Sequence, residues 1–196
     1  MPANITMREA LLRGIEAHKK ADYDTAFAMY KAILDVSPGQ ADASHNMGVL
    51  ARNQGKPKAA TVFFRDAVNT NPLVEQYWLS LISCCIELEE VQEIKYNIAR
   101  ASLYLPSTVR LKKLTNETIK TKANLDISNN LWKKTVRILF EKKEFDAAVS
   151  NLIEVIYQDP GNVHAWYFLS ICNRNLGNHF LSIINLKHCI ELDPDF

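Results

Sequence analysis

Five prolines mark out the chain at positions 38, 72, 106, 160 and 194, so the gaps between them are 34, 34, 54 and 34 residues. A fixed period of 34 residues is too short to enclose a core of its own. Each period must therefore be one supersecondary unit that buries its apolar face against the next. The one long gap reads as a full period plus an insert of 20 residues. Small residues keep the same beat. Gly14, Gly48 and Ser170 stand eight positions into their periods, and Ala26, Ala60, Ala148 and Ser182 stand at the twentieth. A small side chain at those two places lets two antiparallel helices approach closely. With only 6 glycines and 7 prolines in 196 residues, long helical patterns run uninterrupted between the turns, which predicts an all-α chain.

The period divides the chain into repeats 7–40, 41–74, 75–108, 129–162 and 163–196, with a basic insert at 109–128. That gives a block of three repeats in 1–108 and a block of two in 129–196. In the first repeat Asp22 is placed to cap the second helix. In the second, Gly55 closes one helix and Pro57 opens the next, where its missing N–H costs little. The third is the least regular, because Ile82 and Ile94 replace both small contact residues, so its two helices must sit further apart or cross differently. Trp78, Trp132 and Trp166 share the fourth position of their repeats and read as core. The insert carries Leu111, Leu114 and Leu125 among Arg110, Lys112, Lys113, Lys120 and Lys122, and reads as a solvated connector with one weak helix.

The stretch Ala41 to Pro72, ADASHNMGVLARNQGKPKAATVFFRDAVNTNP, resembles a tetratricopeptide repeat. Met47, Gly48, Ala60, Phe64, Ala67 and Pro72 fall at that family's marked positions. The resemblance implies a right-handed superhelix of five helix–turn–helix repeats whose first helices line a concave groove. The front of the chain, from about Arg8 to Ile82, also resembles the N-terminal repeats of large bacterial proteins that carry glycosyltransferase, sulfotransferase or methyltransferase domains further on; Leu131 to Phe196 does so more loosely. That likeness implies, as a second reading, a recognition arm for a catalytic domain beyond residue 196.

Composition narrows the function classes. Net charge is +1 and 47% of residues are apolar, so no overall field draws nucleic acid or an anionic membrane, and disorder is not expected. The sequence contains no long uncharged apolar run and no secretory leader pattern. Cys84, Cys85, Cys172 and Cys189 lack metal-ligand spacing and suit buried thiols in a reducing cytosol. His45 and Asp42 share a helix face but make a poor metal site alone, so no metal or other cofactor is expected. No nucleophile elbow, phosphate loop or dinucleotide fingerprint occurs, so the expectation is a non-enzymatic scaffold.

The tetratricopeptide resemblance assigns the partner-binding face. Carried over position by position, it gives Arg8 and Lys19 in repeat one, His45, Arg52 and Asn53 in repeat two, Lys133 and Arg137 in repeat four, and Tyr167, Arg174 and Asn175 in repeat five. This mixed, mildly basic lining suits a peptide or partner domain with acidic groups. The two-carboxylate clamp known in chaperone-tail-binding repeats is absent. Only Asn46 matches it, while Leu11, Ile15, Gln76 and Ser80 do not. The last helix has no polar cap after it, which invites self-association.

Overall fold

The structure, a computed structural model, describes residues 5–105, 110, 113 and 131–196. The expectations for Pro106, Asn129, Asn130 and the insert helix, Arg110 and Lys113 apart, lie outside the described residues. Among the described residues there are ten α-helices and no strands: α1 (Met7–Lys19), α2 (Tyr23–Val36), α3 (Ala41–Asn53), α4 (Pro57–Thr70), α5 (Glu75–Glu87), α6 (Val91–Tyr104), α7 (Leu131–Glu141), α8 (Phe145–Gln158), α9 (Val163–Asn175) and α10 (His179–Leu192). The all-α architecture of repeated helix pairs is as the 34-residue period requires.

One turn geometry recurs in every repeat. The described residues with positive φ are Ala21, Gly55, Glu89, Lys143 and Gly177, and all five occupy the same place in their repeats. Each ends a first helix in the left-handed conformation. The next residue's N–H returns to a carbonyl five positions back, from Asp22 to Ala17, Lys56 to Ala51, Glu90 to Cys85, Glu144 to Leu139 and Asn178 to Asn173, at 2.7–3.0 Å. This is a Schellman closure, and it satisfies carbonyls that the helix end would otherwise strand. Some helix starts are capped by a local side chain. Thr6 and Glu9 form a reciprocal capping box on α1, and Asp22 accepts from Thr25 N at 3.1 Å on α2. Pro57 is the first residue of α4.

Within a helix pair, the small residue sets the separation. A Cβ on Gly14 would stand 2.5 Å from Tyr30 Cε1, and one on Gly48 would stand 2.6 Å from Phe64 Cε1. Both rings pack against bare backbone and are buried. Between pairs, the prolines and tryptophans are joined. Trp78 Nε1 donates to the Pro72 carbonyl and Trp166 Nε1 to the Pro160 carbonyl, each at 2.8 Å. A buried indole thus keeps a partner for its one donor.

The described helices fall into two compact units. The first holds α1–α5 with Arg110 and Lys113; the second holds α6, from Gln92 onward, with α7–α10. The division runs between α5 and α6, inside the repeat that lacks both small contact residues, whereas the sequence blocks place it after residue 108. In the first unit successive helices pack in order, and α3 also touches α1 and α5, so the first helices form a row. Tyr30, Met47 and Leu50 make one part of its core, and Ala10, Ile33 and Ala43 another. In the second unit α7 to α10 pack in order. Tyr96 and Ala99 of α6 join Trp132, Leu152, Ile156, Trp166 and Leu169 in one core.

Two substitutions test this packing. Gly48→Ala gains helix propensity of about 1 kcal/mol but must displace the Phe64 ring, which costs about 1–3 kcal/mol, so urea unfolding is expected to show net destabilisation. Lys143→Gly removes the left-handed penalty of about 1–2 kcal/mol at an exposed turn and loses part of it to chain entropy, so a net gain of about 0.5–1 kcal/mol is expected in the same assay.

Candidate functional site

In each unit the candidate site is the face presented by the first helices of its own repeats. In the first unit these are α1, α3 and α5, and their polar side chains bond to one another. His18 Nε2 meets Asn53 Nδ2 at 3.0 Å, His45 Nε2 meets Ser80 Oγ at 2.9 Å, Arg52 Nε donates to Glu87 Oε2 at 2.9 Å, and Tyr77 Oη donates to the Asp42 carboxylate. Every one of these pairs is 35 residues apart, which is one repeat plus one position. The stacking register itself therefore generates a ladder of polar rungs. At the edge of this row Arg110 reaches Gln76 Oε1 at 3.3 Å and Glu75 at 3.7 Å.

The rungs shape the electrostatics. His45 is half-buried between Phe64 and Tyr77, whose ring centroids lie 5.5 and 4.9 Å away. Burial lowers its pKa, and the Asp42 carboxylate opposes that only in part. His18 is lowered by burial as well. Burial and the bond to Asp42 hold the Tyr77 hydroxyl well above the usual phenol range. Arg8 and Lys19, at opposite ends of α1, are exposed.

The second unit's face is different in kind. Lys133 and Arg137 of α7 are exposed; Lys133 Nζ lies 5.7 Å from the Trp132 ring centroid and Arg137 Nε donates to Glu141 at 3.2 Å. Between α7 and α9 is a cavity of about 320 Å³ lined by Lys133, Val136, Arg137, Phe140 and Phe168. Phe168 packs edge-on against Phe140 at 5.8 Å, and Tyr167 continues the ring series at 5.9 Å. Phe196 rests edge-on against Tyr167 at 5.4 Å and His164 at 5.3 Å. Arg174 and Asn175 are exposed at the end of α9, with Asn175 Nδ2 donating to the Ile171 carbonyl at 2.8 Å. The ten residues assigned from sequence thus lie on first helices. His45, Arg52 and Asn53 are already engaged in rungs, and Phe168, a cavity wall, was not among them.

Residues 163–196 match the family model described as Tetratricopeptide repeat. That segment is a tetratricopeptide repeat. The preceding helix pairs share its period and its turn. The rat PEX5-related protein is 42% identical over 55 residues, which is 27% of this chain and 9% of that protein. Among solved structures, the MamA RS-1 ArsTM double mutant matches at 10% identity with a TM-score of 0.50, over 96% of this chain and 94% of that one. YrrB, a TPR protein with an unusual peptide-binding site, matches at 18% identity with a TM-score of 0.47, over 95% and 86% of the two chains.

The described helices offer little reactive chemistry. Burial pushes the Cys172 thiol up to about 12 and the Cys189 thiol to about 11, and raises Cys84, which keeps them protonated. No group of three metal-ligating side chains occurs among the described residues. No described helix is long and apolar enough to cross a membrane.

Sequence reasoning missed a buried polar cluster behind the second unit's face. Lys95 Nζ of α6 donates to the Glu154 carboxylate, Tyr96 Oη donates to Asn185 Oδ1 at 2.8 Å, and Arg100 Nε donates to His188 Nε2 at 3.3 Å. Since Nε2 accepts, His188 carries its proton on Nδ1, which faces Tyr104 Oη at 3.2 Å and Glu191 at 3.3 Å. Burial, then the Arg100 charge, pushes the His188 pKa down to about 4, against the opposing pull of Glu191.

The folded pKa lies below the unfolded value of about 6.5, so the unfolded chain binds more protons between the two. The His188 contribution is complete above about pH 6.5 and is lost as pH falls toward about 4. Urea unfolding at a series of pH values is expected to show this loss, and His188→Gln should flatten the slope in that window.

Proposed function

We propose that this chain is a non-enzymatic protein-interaction scaffold that holds a peptide or partner domain against its first helices. One observation carries this reading. In each unit the first helices carry cations, amides and aromatic rings on one face, with Arg8, Lys19, Lys133, Arg137, Arg174 and Asn175 exposed. Such a face can bind an extended or helical segment without any reacting group. Exposed Arg8, Lys19, Lys133 and Arg174 favour acidic partners. The second reading, the recognition arm of a larger transferase, gains nothing from these similarities.

Synthetic acidic peptides are expected to bind the full chain in calorimetric titration. Affinity should fall as salt rises from about 0.05 to about 0.5 M, because exposed charge pairs are screened. Arg52→Gln combined with Arg174→Glu should weaken binding by roughly three- to tenfold and leave the melting temperature nearly unchanged, as exposed pairs contribute little to stability. Peptide affinity indifferent to both salt and these changes would count against the charge-led groove.

A further inference from the structure

We propose that ligand recognition is concentrated on the second unit, where the cavity between α7 and α9 receives an aromatic side chain from an acidic partner segment. This rests on the scaffold reading above and sharpens it to one subsite.

The two units treat equivalent positions differently. Between the second and third repeats the fifth position of one repeat bonds to the sixth of the next, His45 to Ser80 at 2.9 Å. The corresponding residues of the second unit are Lys133 and Phe168, which form no such rung and instead border the cavity. A ligand on the first unit must compete with polar bonds already made within the protein, which gains little net free energy. A ligand on the second unit meets apolar walls whose covering removes Phe140 and Phe168 surface from water. The cavity volume of about 320 Å³ is of the size that holds small ligands and is ample for one aromatic ring.

Charge complementarity names the neighbours of that ring. Lys133 and Arg137 stand at the cavity rim. The only acid joined to them in a described ion pair is Glu141, one helical turn from Arg137, and both members of that pair are largely exposed. Exposed pairs of this spacing are weak, so an incoming carboxylate can take the guanidinium in a two-pronged bond. The face also accepts an aromatic ring already. Phe196 sits edge-on against Tyr167 and His164 on α9, beside the Tyr167–Phe168 contact. The occupant is thus an aromatic residue flanked by aspartate or glutamate.

The test is calorimetric titration of the full chain with two synthetic peptides of equal charge. One carries a phenylalanine flanked by aspartates; the other has serine in its place. The phenylalanine peptide is expected to bind about tenfold tighter or more, the effect of burying one such ring. Phe168→Ser should erase that preference. Because Phe168 also touches Trp132, Lys133→Glu with Arg137→Glu serves as the surface counterpart and should weaken both peptides without changing the melting curve. Equal affinity for the two peptides, or indifference to the Lys133 and Arg137 reversal, overturns the cavity assignment. If binding then still falls with Arg52→Gln and Arg174→Glu, the scaffold reading stands without it. Binding of neither peptide removes both.

Discussion

The contact on which the first unit depends is an aromatic ring lying on a bare α-carbon. Tyr30 covers Gly14 and Phe64 covers Gly48 at distances that no Cβ would tolerate. This contact fixes how close the two helices of a repeat come. The Schellman turn then fixes how the chain reverses between them, in the same way at Ala21, Gly55, Glu89, Lys143 and Gly177. With separation and reversal both set, the next repeat has one way to stack. The 35-residue spacing of every rung in the first unit follows from that regularity rather than from any separate instruction.

The second unit solves the same problem with other materials. Its core is built around Trp132 and Trp166 and takes in Tyr96 and Ala99 from α6. Buried polar groups accompany that helix: Lys95 against Glu154, Tyr96 against Asn185 and Arg100 against His188. Such pairs lose hydration on burial and stabilise little in net terms, but an unpaired member is costly. They therefore select one docking of α6 on this unit more than they strengthen it. The polar bonds of the first unit are mostly on the exposed face, where they contribute less and leave less at risk.

This contrast bears on function. Polar side chains that satisfy each other across α1, α3 and α5 make a face that is stable without a ligand. Apolar rings around a cavity between α7 and α9 make one that gains from being covered. On the reading proposed above, repeats of the same fold divide support from recognition through a few changes at equivalent positions.

Much of this was legible in the sequence because it is local. The prolines, the glycines at 14 and 48, the tryptophans and the Asp22 cap each act within one repeat or against its neighbour, and a 34-residue period displays them directly. The Thr6–Glu9 capping box is equally local, but it was not among the expectations drawn from the sequence. The partner face was legible as positions but not as states. That Arg52 is held by Glu87, or that His45 is wedged between two rings, depends on the stacking angle of helices 35 residues apart. The same holds for α6. Its sequence reads as the second helix of repeat three, yet its partners are 59 to 89 residues away, and no periodic rule carries that far. The sequence alone determined the fold class, the repeat register and the helix-closing turn at Gly55, because those depend on backbone conformation and near-neighbour contacts. Only the tertiary structure decided which polar groups are already satisfied and where a cavity remains open, because both are settled by how separate helices come to rest against one another.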